Sequence, residues 1–139
     1  MERKILIATH GEMAKGLQSS LNVLAGKGES IEVINAYMTD TDYTPEIIQF
    51  IETINEEDQA IIFTDLYGGS VNQKVVTEVL QAKRNNIFIV SNANLAIILS
   101  LMFLAEDQVI TDEIIEDAIK ESQVQLVKIN QTQEEDSIF

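Results

Sequence analysis

Cysteine is absent from this sequence of 139 residues, so disulfides, thiolate metal sites and cysteine nucleophiles are all excluded. Histidine occurs once, and a structural zinc site would then need mostly carboxylates; neither a metal nor a cofactor is expected. Basic side chains are scarce as well, nine against 23 acidic ones, for a net charge of −14. A field of that sign repels nucleic acid and anionic membranes and favours partners with basic surfaces. Long hydrophobic runs are also missing. The greasiest stretch, residues 95–105, is interrupted by Ser100 and falls short of the about 20 residues a membrane span needs. The opening Met1-Glu2-Arg3-Lys4 leads into a run of four apolar residues before Thr9, too few for a signal sequence. These absences predict a cytoplasmic chain without direct membrane insertion.

What is present is the composition of an ordinary globular domain, 45% hydrophobic and long enough for a sizeable core. Residues 4–8, 60–64 and 87–90 read as strands built on the unbroken apolar runs 5–8, 60–63 and 87–90, and 31–34 suggests a further strand. Between them lie helical patterns: Met13, Leu17, Leu21 and Leu24 on one face, a segment from Pro45 to Ile54, and one from Ser70 carrying Val71, Val75, Val79 and Leu80. Leu95 to Leu104 reads as a largely buried helix whose apolar excess points either to a subunit interface or to dense core packing. Thr111 caps another helix. Val124, Leu126, Val127 and Ile129 predict a last strand. The domain is expected over 1–130, with an acidic, flexible tail over 131–139. Alternation of this kind is the mark of an α/β, three-layer, doubly wound sheet. In such sheets ligands bind beyond the carboxyl ends of strands, where connections leave in opposite directions.

The lone histidine falls at that kind of place, in Thr9-His10-Gly11, directly after the first apolar run. Asp65 follows the third run, in Thr64-Asp65-Leu66-Tyr67-Gly68-Gly69-Ser70. If the two runs are neighbouring parallel strands, the side chains meet. Imidazole is nucleophilic at one nitrogen when the other carries the proton. A carboxylate accepting that proton's hydrogen bond fixes the tautomer and stabilises the positive ring formed during attack. Such a pair can take up and hand on a phosphoryl group. The plainer alternatives are a surface or capping role for His10 and an Asx-turn for Asp65.

Gly68 and Gly69 bring backbone N–H groups close to a ligand, and a helix beginning near Ser70 adds unpaired amides for phosphate oxygens. Ser70 and Thr9 either offer hydroxyls to phosphate or act as caps. Asn72 either supports the loop or lies on a helix surface; Asn92 and Asn94 either shape the pocket rim or cap local turns. Tyr37 and Tyr43 read as edge or interface aromatics. No lysine stands where a nucleotide-binding phosphate loop requires one. Arg3 and Arg84 fall at the opposite end of the strands, whereas a histidine phosphatase or mutase needs basic clamps for its transition state. The residues favour a relay over a hydrolase. A noncatalytic regulatory module, in which His10 merely caps or senses pH, is the third alternative.

Lys4-Ile5-Leu6-Ile7-Ala8-Thr9-His10-Gly11, together with Thr64 to Asn72, resembles the IIA component of the mannose-class phosphoenolpyruvate-dependent sugar phosphotransferase system. The likeness extends over essentially the whole chain. It implies a cytoplasmic phosphocarrier, usually a homodimer, with four parallel strands in the order 2-1-3-4. A C-terminal antiparallel edge strand, here about 123–129, is exchanged between subunits in that family. The resemblance implies that His10 is phosphorylated by the general phosphocarrier protein and passes its phosphoryl group to a IIB component. Asp65 corresponds to the carboxylate partner, and Ser70 with the Gly68-Gly69 loop to the phosphate-binding segment. Similar domains feed a dihydroxyacetone kinase, an alternative destination. Where the family often has proline after the serine, this chain has Val71, and the segment Ser91 to Leu95 lacks another proline.

Overall fold

Two strands that alternate fully buried residues on both faces can only lie inside a sheet covered twice. In the computed structural model, which describes residues 1–132, they are β1 (Arg3–His10) and β3 (Gln59–Thr64). Around them run β2 (Ile31–Ala36) and β4 (Ile87–Val90), all parallel, in the order β2-β1-β3-β4. The helices are α1 (Met13–Ala25), α2 (Thr44–Glu52), α3 (Ser70–Ala82), α4 (Leu95–Met102), α5 (Asp112–Glu121) and a short α6 (Ile129–Thr132).

The period-2 alternation of a strand divides the interior into two cores. Ile5, Ile7, Ile61 and Phe63 face Leu21 of α1, Ile98 and Leu101 of α4, and Ile115 of α5. Leu6, Ala8, Ile34 and Ile62 face Ile47 and Phe50 of α2 and Val71 and Val75 of α3. Each large side chain so buried contributes about 1.5–3 kcal/mol. The result is the expected doubly wound α/β sandwich. The connection from β1 leaves toward β2, while β3 leads away to β4, so the carboxyl ends of β1 and β3 flank the point where the winding reverses.

Local chemistry sets the helix ends. Pro45 lies in the first turn of α2, where its missing N–H costs nothing. Gly26 ends α1 in the left-handed conformation at φ +68°. Thr111 caps α5 as expected, and Asn94 caps α4 by accepting from Ile97 N–H at 2.9 Å. Both arginines are staples away from the carboxyl ends of the strands. Arg3 donates to the carbonyls of Leu104, Ala105 and Gln108 beyond α4, and Arg84 donates to those of Ile51 in the last turn of α2 and Ile54 just after it.

Two expectations, for α1 and for the last strand, are corrected, and the choice left open at α4 falls mostly to the core. The buried side of α1 runs through Ala14 and Leu21, leaving Met13 and Leu24 exposed. The α4 apolar excess is mostly core, since Ile97, Ile98, Leu101 and Met102 are buried, although Phe103 is 62% exposed. The last strand does not form among the described residues. Residues 123–128 have no ladder partner, and Val124 and Leu126 are 93% and 83% exposed. A strand exists only through its neighbour, and the described residues supply none there; among them β4 remains an edge with three half-buried residues. From residue 133 onward, the expected acidic tail lies outside the described residues.

Candidate active site

Parallel pairing of β1 with β3 sets Ala8 opposite Thr64, so that the next residues along each chain emerge at one edge. There His10 Nδ1 lies 2.8 Å from Asp65 Oδ2, and the same oxygen accepts the His10 backbone N–H at 2.7 Å. The carboxylate can only accept, so Nδ1 carries the proton and Nε2 of the neutral ring keeps its lone pair. That second nitrogen faces Ser70 Oγ at 3.1 Å. The ring is 43% exposed and the carboxylate 12%, an open nucleophile on a mostly sheltered partner. Gly11 follows at φ +61°, and its N–H donates to Ala36 O, tying the histidine turn to β2.

The Asp65–Ser70 loop is a framework of internal hydrogen bonds. Gly69 N–H donates to Leu66 O at 2.9 Å, and Gly68 N–H donates to Asn72 Oδ1 at 3.1 Å. Asn72, 5% exposed, also donates to Thr64 Oγ1 at 2.9 Å and Ser91 Oγ at 2.7 Å. The loop is therefore hung from a buried amide. Gly68 needs its φ of +77°, which a side chain rarely adopts. Asn92 steadies the far side, accepting Tyr67 N–H at 2.8 Å. Asn94 is a cap, as its plainer alternative had it.

The orphan amides of α3 differ from the loop amides singled out in the sequence. Gly69 is the N-cap, with Ser70 the first helical residue, so Ser70 does not cap. The Gly68 and Gly69 amides are already taken. Those of Ser70, Val71 and Asn72 belong to the first turn, where a helix has no internal acceptors, and the first of these residues reaches Nε2 with its hydroxyl. At α1 the equivalent donors are occupied: Ala14 N–H donates to Thr9 Oγ1 at 2.8 Å and Lys15 N–H to Asn35 Oδ1 at 3.2 Å. Thr9, 1% exposed, thus takes the capping alternative, its hydroxyl turned inward and not toward an anion.

Sequence reasoning gave Tyr37 no role, yet it forms the site's wall. Its ring stacks on that of His10 with centroids 5.1 Å apart, and its hydroxyl lies 2.8 Å from Ser70 Oγ and 3.3 Å from Tyr43 Oη. The signal was available in the pairing register. His10 stands opposite Ala36, so the next residue on β2 must overhang the histidine. Hydrogen bonding with Ser70 and then with Tyr43 holds the Tyr37 phenol below its ordinary range, while burial pushes that of Tyr43 up. Lys74 sits over the Tyr43 ring at 5.0 Å and pairs with Asp42 at 3.6 Å. A cleft of about 430 Å³ opens beside these tyrosines. The larger cavity, about 710 Å³, lies at the other end of the sheet among Arg3, Lys27, Glu29 and Glu106, remote from the histidine. Among the described residues no cluster of histidine and carboxylates is arranged to hold a metal.

An imidazole with one nitrogen fixed by a carboxylate, the other open, and a helix start nearby has the chemistry to accept a phosphoryl group, with no guanidinium clamp beside it. The chain belongs to the family described as the PTS system fructose IIA component, EIIA-man, whose model matches residues 4–119. Membership makes it a phosphotransferase component of a phosphohistidine relay, with the partners typical of that system. It is 30% identical to a Klebsiella pneumoniae protein described as a phosphoenolpyruvate-dependent sugar phosphotransferase system permease, over 95% of this chain and 94% of that one, with a TM-score of 0.77. The PTS IIA protein associated with the fucose utilization operon of Streptococcus pneumoniae shares the fold, with TM-score 0.74, 20% identity, and coverage of 96% and 97%. So does EIIA of Streptococcus agalactiae, at 0.66, 23%, 93% and 98%. No curated protein sequence matches the chain. No helix among the described residues is long and apolar enough to cross a membrane.

Proposed function

We propose that His10 accepts a phosphoryl group from the phosphohistidine of the general phosphocarrier protein and passes it to a histidine of a IIB component during sugar uptake. The observation that carries this reading is the division of labour on one ring: Nδ1–H to Asp65 at 2.8 Å, Nε2 toward Ser70 and the open start of α3. In the step itself, the Nε2 lone pair attacks phosphorus in line as the donor's N–P bond breaks, and that bond's electron pair returns to the donor nitrogen. No proton leaves His10. The ring becomes positive, and Asp65 stabilises it. The amides of Ser70, Val71 and Asn72, with the Ser70 hydroxyl, receive the phosphoryl oxygens. Both arginines are tied to carbonyls elsewhere, so no clamp stabilises water attack; this supports a carrier and weighs against a hydrolase.

A homodimer accompanies this reading. The exposed apolar residues of 124–129 and the uncovered β4 edge suit each other, and a second copy supplies the antiparallel strand that one chain lacks. The function is tested with phosphoenolpyruvate, enzyme I and the general phosphocarrier, mapping acid-labile phosphate. Label on His10, lost in His10→Ala, is expected. Retained label in that variant would rule the assignment out.

A further inference from the structure

Tyr37 occupies a backbone conformation that a bulky residue adopts only against strain, φ +67°. Glycine would take the same turn freely. What the tyrosine gains there is two contacts glycine cannot make: the ring on His10, and the hydroxyl on Ser70 Oγ at 2.8 Å. The directions of the hydrogen bonds follow from counting protons. Asp65 is acceptor only, so Nδ1 donates to it and Nε2 accepts. Ser70 must then give its single proton to Nε2, which leaves its oxygen to accept from Tyr37. Tyr37 in turn accepts from Tyr43. The chain runs one way, Tyr43 to Tyr37 to Ser70 to His10 to Asp65. The other charged groups facing it are Lys74, over the Tyr43 ring, and Asp42, paired with that lysine.

Resting on the relay reading of His10, we propose that Tyr37 is a positioning residue. It holds the Ser70 hydroxyl in the one rotamer that points its proton at the Nε2 lone pair in the resting protein. When Nε2 bonds to phosphorus, the lone pair is consumed and the Ser70 proton turns to a phosphoryl oxygen. Tyr37 keeps the serine oxygen in place as an acceptor throughout, so the hydroxyl changes partner by rotating and without travelling. Without Tyr37 the hydroxyl is free to turn to water, and each transfer must first recapture it.

The test uses Tyr37→Phe, which keeps the stacked ring and removes the hydroxyl. Because the chain has one histidine, the nitrogen-15 resonances of its ring can be read without assignment ambiguity in the unphosphorylated protein. Nε2 is expected to shift toward the value of an unbonded lone pair in Tyr37→Phe, while Nδ1 stays put. Tyr43→Phe, away from the strained turn, should move Nε2 in the same direction by less. Labelling of His10 should slow about fivefold in Tyr37→Phe, the worth of one hydrogen bond. In the double variant with Ser70→Ala it should be no slower than in Ser70→Ala alone, because Tyr37 acts only through that serine. An unchanged Nε2 resonance, or slowdowns that multiply, would overturn the assignment. Absence of any label on His10 in the unaltered protein would instead defeat the relay, and the resonances would still decide the role of Tyr37.

Discussion

Replacing Asp65 with asparagine removes one charge and leaves the shape. The orientation of the new amide is dictated by the His10 backbone N–H, a donor 2.7 Å from Oδ2, so the asparagine carbonyl must keep that place. The histidine therefore retains its tautomer, and the variant isolates the electrostatic part of catalysis. Unit charges about 4 Å apart interact by about 1 kcal/mol in water and about 4 kcal/mol near a protein surface. With the ring 43% exposed and the carboxylate 12%, an intermediate value of about 2 kcal/mol applies to the positive ring of the transition state. That corresponds to labelling about thirtyfold slower. The new NH2 falls where Asp65 Oδ1 is buried without a partner, and burying an unsatisfied donor costs about 1–3 kcal/mol, so the unfolding midpoint should drop as well. The assay is rapid-quench labelling from the phosphorylated donor protein well below the melting transition. A rate within threefold of the unaltered protein would refute the idea that Asp65 stabilises charge, and would leave it a tether only.

Asn72→Ala strips Gly68 N–H of its acceptor and Thr64 and Ser91 of their donor; a loss of about 2–3 kcal/mol in urea unfolding is expected, with labelling slowed as the loop drifts. Asp58 accepts the Glu2 N–H at 2.8 Å, and this bond above all holds its carboxyl below the ordinary value of 3.8. A depressed folded value means stability present above that ordinary value and lost as pH falls through the folded one. Acid unfolding monitored by circular dichroism should accordingly show a flatter acid limb in Asp58→Asn. Leu126→Glu should convert a dimer to monomers in sedimentation without lowering the melting point of the monomer, because the side chain is exposed within its own chain.

The interior strands were legible because parallel, doubly covered strands have little room for polar side chains; residues 5–8 and 60–63 are apolar without a break. His10 and Asp65 followed from that, since both sit where apolar runs end. The roles within the loop did not. Whether Ser70 caps or follows the cap depends on Gly69 adopting an extended backbone, and whether Gly68 and Gly69 offer their amides depends on Leu66 and Asn72 taking them first. Thr9 was ambiguous for the same reason: a hydroxyl one residue before the nucleophile reads alike whether it turns inward or outward. Tyr37 required the strand register, a property of two distant segments, before its place over the imidazole could be read. The 124–129 pattern was read as a strand, yet it has no ladder partner among the described residues, because alternation reports what a segment wants to cover and not who supplies the cover.

The two arginines fastened at carbonyls have one more consequence. With both guanidinium groups anchored away from the histidine, a dianionic group on His10 would sit on a molecule of net charge −14 with no fixed counter-ion beside it. Long-range repulsion would then urge the cargo outward, against the dipoles of one helix and the Ser70 hydroxyl. Departure toward a positively charged neighbour is downhill from the start, and dissolved salt, by damping that push, acts as a brake on delivery.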